Sequence, residues 1–390
     1  MTRIIVNTIS TKKGAGGAFQ IATNFVLKTL EKDCGVEWFY FTSSDLDEVV
    51  GENFKNNSRY FVFPTQPSLS SYFTVKKQLR DLEDKIAADL VYSITAPCYH
   101  KFQTLEVMRF TNPWVTHPNR YSWASLTFKE KLKMKSYCLV QRLLIKHCKY
   151  FVTQTEEVQR GLMRILGIPS ENINVIHNVL PSVIKKIDSS HIDKEDGFID
   201  ISCIAAPFRH KNLDIVPKIL KILKEDFDIN NVRIHLTIPK DNVIWNSIYN
   251  EASHYNISDR IINHGRVSQV ELASIYKQCS YALLPTLLEV FSASSIEAMY
   301  FNLNIIATDF NFNRDVLSDT CLYYEPMNPY DAAKKIHEYI ENCELQEKKK
   351  LKMQERIRLY DDYDKHFRET TNFLIKTAEK VKIASGSQTT

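Results

Sequence analysis

Two glutamates eight positions apart, Glu289 and Glu297, are the residues of this sequence whose type and spacing most clearly suggest chemistry. An apolar run at 281–285 precedes them, and the serines within 292–295 are of a type that often caps the start of a helix. The N–H groups of a helix start can bind phosphate, and carboxylates accept hydrogen bonds from hydroxyl groups. A phosphate held between two such carboxylates suits a nucleotide linked to a sugar. The alternative is that both glutamates are ordinary solvated side chains.

Glycines and cations elsewhere also suggest phosphate binding. Gly16 and Gly17 lie between a predicted strand and a predicted helix, where backbone N–H groups can approach a ligand closely. The loop reads Gly-x-Gly-Gly, which lacks the spacing and the later acidic residue of a dinucleotide site and therefore disfavours NAD. Lys211, with Arg209 two residues before it, would supply positive charge to a diphosphate leaving group. A solvated pair of cations at a helix start is the alternative.

Short β-branched or aromatic runs alternate with helical periods along the chain, which predicts two parallel sheets with crossover helices. In the first half the predicted strands are 3–7, 36–41, 60–63, 89–93, 150–154 and 174–177, and the predicted helices are 17–32, 72–87, 125–148 and 155–166. In the second half the predicted strands are 198–205, 232–238, 260–264, 281–285, 304–308 and 322–324, and the predicted helices are 212–226, 243–255, 268–279, 293–301 and 328–343.

The predicted domains follow one another along the chain. We expect an N-terminal Rossmann-like domain over 1–180, a polar linker over 181–197 and a second Rossmann-like domain over 198–345. A charged helical segment over 346–382 is expected to pack across both domains. The small polar residues at 383–390 predict a disordered tail.

The composition is that of a soluble globular protein, because 44 % of the 390 residues are hydrophobic and 25 % are charged. A net charge of +4 is too small to indicate nucleic-acid binding over the whole chain. Neither a long apolar run nor a signal peptide is apparent, so we expect a cytoplasmic protein. The eight cysteines form no CxxC pair, which argues against a structural zinc site and a disulfide framework.

Taken in order along the chain, these segments resemble the retaining glycosyltransferases of family 4, the glycosyl transferases group 1. The resemblance rests on the glycine loop at 14–18, the segments 205–213 and 262–267, and the pair Glu289 and Glu297, which matches the family's signature. It implies the GT-B fold, in which two Rossmann-like domains face each other across a cleft. It also implies transfer of a sugar from a nucleoside diphosphate to a glycan acceptor with retention of configuration. No metal and no cofactor are expected, because protein charges would stabilise the diphosphate.

The resemblance assigns roles to single residues of the second half. Glu297 would hold the ribose, and Glu289 would approach the transferred sugar. The backbone of Phe291, Ser292 and Ala293 would lie near the phosphates. Relatives most often carry Gly where this chain has Ser292, which keeps a capping side chain but narrows the space for a ligand. The residues expected to take part in catalysis are Glu289, Lys211, Arg209 and His117.

Other residues would complete the donor site. Gly265 and Val267 would contact the nucleotide base through backbone groups, and Gly16 and Gly17 would face the donor phosphates and the acceptor. His117 would lie beside the donor sugar. The alternative for His117 is a structural role, in which its ring nitrogens satisfy local backbone groups.

The segment 129–149 is strongly basic, with seven Lys or Arg against one Glu among apolar residues. It is either a solvated helix or a helix at an anionic membrane surface, where each cation contributes about 1 kcal/mol. Peripheral contact with the inner face of a membrane would bring the enzyme to a lipid-linked acceptor, such as an intermediate of a bacterial surface polysaccharide or lipopolysaccharide.

Two other functions are compatible with the same fold. A nucleotide-sugar epimerase or hydrolase would change the donor sugar without any acceptor. A non-catalytic nucleotide-sugar-binding protein would bind the donor and transfer nothing.

Overall fold

The computed structural model describes residues 1–13, 17–68, 70–192 and 197–386. They form two compact units. The first unit comprises Met1–Thr116, Lys135–Ile176 and the chain from Tyr363 onward, and the second comprises His117–Met134 and His177–Asp362. The linear division predicted above therefore differs from the structure at 117–134 and beyond Tyr363, since both segments pack with the unit that is more distant in sequence.

The strands are β1 (Thr2–Thr8), β2 (Val36–Ser43), β3 (Tyr60–Phe63), β4 (Leu90–Ser93), β5 (Glu106–Arg109), β6 (Tyr150–Thr153), β7 (Ile173–Val175), β8 (Ile199–Ser202), β9 (Val232–Leu236), β10 (Ile261–Asn263), β11 (Tyr281–Leu284), β12 (Asn304–Thr308) and β13 (Leu322–Tyr324).

The helices are α1 (Gly17–Glu31), α2 (Ser44–Val50), α3 (Tyr72–Ile86), α4 (Pro113–Thr116), α5 (Arg120–Ala124), α6 (Phe128–Ile145), α7 (Glu156–Leu166), α8 (Ser182–Lys185), α9 (Val216–Asp226), α10 (Val243–His254), α11 (Gln269–Gln278), α12 (Ala293–Tyr300), α13 (Asn311–Leu317), α14 (Pro329–Glu341), α15 (Cys343–Arg356) and α16 (Tyr363–Gly386).

The sheet of the first unit has the strand order β3-β2-β1-β4-β5-β6-β7, and all of its neighbouring strands are parallel. Its central strands are apolar on both faces because helices cover both faces. Ile4, Ile5 and Val6 of β1 are fully buried, for example. The predicted parallel sheet is thus present here.

Among the described strands, β5 is the one that the sequence pattern does not predict; the short helices α2, α4, α5, α8 and α13 were not predicted either. Strand β5 begins with Glu106 and ends with Arg109, which are unusual residues for a central strand, yet both are buried. Glu106 is accommodated because Ser93 donates a hydrogen bond to one of its oxygens and the His147 ring lies 3.1 Å from the other. Charged residues in a core need such partners, and both partners come from other parts of the chain.

The sheet of the second unit has the order β10-β9-β8-β11-β12-β13 and is also parallel. The chain starts in the middle at β8, runs outward through β9 and β10, and then returns to β11 on the other side of β8. The loops that follow β8 and β11 therefore leave the same edge of the sheet side by side. Such a switch point is where ligands bind to open parallel sheets.

The C-terminal region is helical as predicted, but it is divided. Helix α15 belongs to the second unit, whereas α16 belongs to the first. Because α16 extends through Gly386, the beginning of the predicted disordered tail is helical, and 387–390 lie outside the described residues. The predicted linker contains the short helix α8, and its residues 193–196 also lie outside the described part.

Candidate functional site

The second sheet brings most of the predicted site residues to one edge. Lys211 follows β8, Gly265 follows β10, and Glu289 and Glu297 follow β11. Because these strands are parallel, their carboxyl ends lie at the same edge. Residues separated by nearly 80 positions thereby become neighbours, as the contact between Lys211 and Glu289 shows.

Lys211 and Glu289 form an ion pair at the switch point. The Lys211 Nζ contacts Glu289 Oε2, and the two side chains are 12 % and 21 % exposed. Glu289 Oε1 accepts a hydrogen bond of 3.0 Å from the Val290 N–H. Burial alone would raise the pKa of Glu289, but the Lys211 ammonium and the Val290 N–H outweigh it and lower the pKa below its ordinary value. Glu289 is therefore a carboxylate held by the cation that is predicted to meet the diphosphate.

The loop that carries Lys211 is a single 3-10 turn over Arg209–Lys211. Asn212 ends the turn in the left-handed region, with φ of 54°. The His210 carbonyl accepts a hydrogen bond of 2.8 Å from the Leu287 N–H, which joins this loop to the loop of Glu289. Burial, together with the charge of Lys211, lowers the pKa of His210 to about 4, so this ring is neutral at pH 7.

Arg209 lies on the same turn as Lys211 but has a different partner. Its Nε lies 3.1 Å from Oε1 of Glu130, and the two side chains are 43 % and 42 % exposed. Such an exposed pair contributes little stability, so Arg209 can exchange this partner for another anion at little cost. Its role in catalysis stays a prediction.

His117 lies against the backbone of Glu289. Its buried ring donates a hydrogen bond of 2.7 Å from Nε2 to the Glu289 carbonyl. Because a carbonyl oxygen only accepts, Nε2 must carry a proton. The structure thus brings His117 and Glu289 together, while the predicted contact between His117 and the donor sugar stays a prediction.

Asn119 is a site residue that the sequence reasoning missed. Its side-chain oxygen caps the start of α5, and its Nδ2 donates a hydrogen bond of 2.7 Å to the Leu287 carbonyl. Asn with Ser three residues later is a helix-start signal that was available in the sequence. No local sequence signal indicated the hydrogen bond to Leu287, because that residue lies 168 positions away.

Glu297 lies within α12 and is only 6 % exposed. Its Oε2 accepts a hydrogen bond of 2.9 Å from the buried Tyr276 hydroxyl. Burial raises the pKa of Glu297, and the bond from Tyr276 opposes this only in part. A carboxylate oxygen can accept more than one hydrogen bond, so Tyr276 orients Glu297 and still leaves capacity for the predicted ribose diol.

The start of α12 lacks the predicted serine cap. Ser292 occupies the capping position, but its side chain makes no capping hydrogen bond. Ser294 instead donates a hydrogen bond of 2.8 Å to the Ile204 carbonyl, just beyond β8. Ala293 is exposed, and Phe291 is buried with its ring 5.5 Å from that of Tyr360. The Ser295 N–H donates a hydrogen bond of 3.2 Å to the Ser292 carbonyl, which leaves the N–H groups of Ala293 and Ser294 for an anion, as in known phosphate sites.

Gly265 is in a conformation that favours glycine, with φ of 74°. It is buried, and its N–H donates a hydrogen bond of 3.2 Å to Asn263 Oδ1. Val267 is half-buried. The geometry explains why glycine stands at 265, and the predicted contacts of both residues with a base stay predictions.

A chain of hydrogen-bonded polar side chains, running from buried Asp200 through buried His235 to exposed His264, supports this loop and was not predicted. His264, the residue before Gly265, lies with its Nε2 2.9 Å from His235 Nδ1. The other nitrogen of His235, Nε2, lies 2.8 Å from an Asp200 oxygen and donates to it. Because His235 then accepts at Nδ1 when neutral, His264 must donate from Nε2. These hydrogen bonds hold the ring of His264 in place. They thereby restrain the backbone immediately before Gly265.

The glycine loop belongs to the first unit. Gly17 is the exposed first residue of α1, after β1, and a Cβ atom there would meet nothing within 4 Å. Gly16 lies outside the described residues. The predicted contacts of this loop with a ligand therefore stay predictions.

The part of the chain that matches a known family lies within the second unit. Residues 185–358 match the family model described as Glycosyl transferases group 1. This range contains Lys211, Gly265, Glu289 and Glu297, and it excludes His117 and the glycine loop.

A curated relative is a mannosyltransferase. The O-antigen chain mannosyltransferase RfbU of Salmonella typhimurium is 25 % identical over 185 residues, which are 47 % of this chain and 49 % of the relative. This chain therefore aligns with about half the length of that protein.

Solved structures share the fold over nearly the whole chain. A glycosyltransferase from Rickettsia africae has a TM-score of 0.70 at 14 % identity, covering 96 % of this chain and 98 % of its own. Anabaena HepE in complex with UDP and glucose has a TM-score of 0.64 at 12 % identity, covering 98 % and 100 %. The lipopolysaccharide outer core galactosyltransferase WaaB has a TM-score of 0.65 at 14 % identity, covering 97 % and 100 %. The predicted fold class, with two Rossmann-like parallel sheets of the GT-B type, is confirmed.

Two features are absent from the described ranges. No helix there combines the length and the apolar character needed to cross a membrane. In the same residues, no group of three or more His, Cys, Asp or Glu is arranged to hold a metal ion.

Proposed function

We propose that this chain is a retaining, metal-independent glycosyltransferase that moves a sugar from a nucleoside diphosphate to a glycan acceptor. The observation that carries the proposal is the Lys211–Glu289 ion pair at the switch point of the second sheet, beside the uncapped start of α12. The match of 185–358 to glycosyl transferases group 1 and the names of the similar proteins support the same reaction class. The protein would thus act in the synthesis of a surface polysaccharide.

The reaction that fits these residues breaks the bond between the anomeric carbon and the diphosphate. Lys211 and the N–H groups at the start of α12 would stabilise the charge that develops on the departing diphosphate. The acceptor hydroxyl would attack from the same face, and its proton would pass to the departing phosphate oxygen. Glu297 would position the ribose, and Glu289, released from Lys211 by the diphosphate, would face the sugar.

Two substitutions test this assignment. Lys211→Ala removes charge from the leaving-group site, and Glu297→Ala removes the proposed ribose contact, so each should lower turnover roughly 100-fold or more. Lys218→Ala is the matched control, since Lys218 is an exposed lysine of α9 whose nearest carboxylate, Glu251, is 3.9 Å away. Sugar transfer should be measured with donors of mannose, glucose and galactose after a thermal-shift screen has identified the nucleotide. Normal turnover in either variant would refute the assignment.

The same assay separates the two other functions. An epimerase or hydrolase would change the donor in the absence of an acceptor. A binding protein would show a thermal shift with a nucleotide sugar but no transfer in a broad acceptor screen.

We further propose that α6 contacts an anionic membrane, where the acceptor would be lipid-linked. At 100° per residue, Phe128, Leu132, Leu139 and Leu143 fall within about 60° of the helix circumference. These four side chains are 82 %, 63 %, 59 % and 59 % exposed. Lys135, Arg142 and Lys146 lie at or beside the same arc, so cations and exposed apolar side chains occur together on this face. Attraction of the cations to anionic lipids, about 1 kcal/mol each, would therefore supply much of the binding.

Vesicle binding tests the membrane proposal. The chain should sediment with vesicles that contain phosphatidylglycerol, and less so with phosphatidylcholine alone or in high salt. Leu139→Glu/Leu143→Glu should lower the bound fraction roughly tenfold. The control Leu351→Glu/Leu359→Glu changes two leucines of the second unit that are 64 % and 46 % exposed and should bind as the wild type does. Equal loss in both double variants would contradict the proposal.

A further inference from the structure

A cavity of about 1120 Å³ lies in the first unit and is lined only by residues of that unit. It is bounded by α3, by residues 100–106 that lead into β5, and by residues 147–150 that lead into β6. The cavity therefore lies at the amino ends of β5 and β6, whereas sheets of this type bind nucleotides at the carboxyl ends. It contains none of the residues assigned to the proposed sugar transfer.

The cavity is strongly cationic. Its Lys and Arg residues are Lys76, Lys77, Arg80, Lys101 and Lys149. In the part of the chain that the structure describes, none of these five forms an ion pair with a carboxylate. Most are exposed, and Lys76 is half-buried with its Nζ 5.3 Å from the centre of the Tyr72 ring. Five like charges around one concave space attract a multiply charged anion.

Among the described residues that line the cavity, Glu106 is the one carboxylate, and it does not neutralise these cations. Glu106 is buried and already accepts a hydrogen bond from the Ser93 hydroxyl. Its other oxygen lies 3.1 Å from the His147 ring, which also lines the cavity. Both oxygens of Glu106 thus already have structural partners. The positive charge of the five cations is therefore available to attract a ligand.

His100 lies in the wall of the cavity and is only 5 % exposed. Its Nε2 faces Glu83 at 3.4 Å, and the ring packs edge-on against Phe102. Its Nδ1 has no hydrogen-bond partner among the described residues and is closed to solvent. A phosphate oxygen needs the same approach as a water molecule, so the cations and not this nitrogen are the groups that would hold a ligand.

We propose that this cavity, through Lys101, Lys149 and Lys77, binds a ligand that carries two or more phosphate groups. Its volume is more than a single phosphate needs and is sufficient for a drug-sized ligand or larger. A second cavity of about 360 Å³ shares Lys76, Lys101 and His100 with it and adds Leu143 and Leu144 of α6. The ligand would therefore have an apolar part beside its phosphates, as a lipid-linked diphosphate or a phospholipid with two phosphates has.

Calorimetric titration with inorganic diphosphate tests the site. The titration is made in the Lys211→Ala chain, so that the proposed sugar-transfer site does not contribute. Saturable binding is expected, and Lys101→Gln/Lys149→Gln should weaken it roughly tenfold or more, because two charge-assisted contacts are lost. Lys85→Gln changes a lysine of α3 that does not line the cavity and should leave the affinity unchanged. An absence of saturable binding, or equal weakening by the control, would overturn the proposal.

Two further measurements identify the source of the phosphate and separate this site from the proposed function. If the ligand is a lipid, inorganic diphosphate should release the wild-type chain from vesicles of cardiolipin, a phospholipid with two phosphates. The Lys77→Gln/Lys101→Gln variant, which keeps every cation of 129–149, should then bind these vesicles less. If the ligand is soluble, vesicle binding should be the same in both chains, while diphosphate binding still differs between them. Sugar transfer to a soluble acceptor should be equal in both chains, so failure of the phosphate site would leave the transfer proposal intact.

Discussion

At the scale of single residues, the two glutamates that stand eight positions apart have opposite electrostatic settings. Glu289 is held as a carboxylate by Lys211, which lowers its pKa, whereas burial raises the pKa of Glu297. Environments that push the pKa values of two acids apart commonly mark separate roles. The contrast agrees with the proposal that Glu289 changes partner when the donor binds and that Glu297 acts as a fixed hydrogen-bond acceptor.

The opposite pKa shifts predict opposite effects of pH on stability. The lowered pKa of Glu289 stabilises the fold above its unfolded value of 4.5, and this is lost as pH falls through the folded pKa. The raised pKa of Glu297 destabilises the fold progressively as pH rises above 4.5. Relative to the wild type, Glu289→Gln should therefore become less stable as pH rises from 4 to 7, and Glu297→Gln should become more stable over the same range.

Urea unfolding at pH 4, 5.5 and 7 measures these differences. Glu297→Gln keeps an oxygen that can accept from the Tyr276 hydroxyl, so its change reports the ionisation rather than lost packing. The same pH trend in both variants would contradict the assigned shifts.

At the scale of elements, the short helix α5 and the loop after β11 act together. Asn119 caps α5 and also donates to the Leu287 carbonyl, and His117 donates to the Glu289 carbonyl. From the other side, the His210 carbonyl accepts from the Leu287 N–H. Three segments that are far apart in sequence thus fix the backbone that presents Glu289.

Asn119 offers a test of this arrangement with a built-in control. Asn119→Ser keeps a good capping residue, but the serine side chain is too short to make the hydrogen bond to Leu287. Asn119→Ala loses both the cap of α5 and the hydrogen bond to Leu287. Both variants should lower kcat by about tenfold, because displaced catalytic groups lose orientation. The Ala variant alone should also lose about 1 kcal/mol of stability.

Steady-state kinetics and thermal unfolding distinguish these effects. A Ser variant with wild-type kcat would show that the bond to Leu287 does not position Glu289. An unchanged KM in that variant would indicate that the bond serves the chemical step rather than donor binding.

At the scale of the whole molecule, the last helix belongs to the first unit, although the chain before it belongs to the second. Phe367 of α16 is 2 % exposed, and its ring centre lies 5.2 Å from that of Phe25 in α1. Lys28 of α1 also pairs with Asp364 at 2.8 Å. The core of the first unit is therefore completed by the end of the chain.

Truncation of Phe367 should accordingly unfold the first unit more easily. Phe367→Ala should cost about 3–5 kcal/mol, as expected for a large aromatic side chain removed from a core. Ile383→Ala in the same helix is the control, because Ile383 is 70 % exposed and should change stability little. Hydrogen exchange in β1 and α1 should rise in the Phe367 variant only, and equal protection in both variants would contradict this account.

The sequence by itself determined the order of most strands and of the longer helices, and the types of the residues at the candidate site. Strands such as β3 and β12 are readable because their apolar character and their flanking turns are local properties. Lys211 and Glu289 were recognisable by their motifs. Only the tertiary structure decided that these two form an ion pair, that Asn119 supports the loop of Glu289, and that β5 with its buried Glu106 is a strand. The physical reason is that these features depend on contacts between distant segments. Parallel strands joined by crossover helices bring such segments to one edge, and no local pattern records which of them will meet.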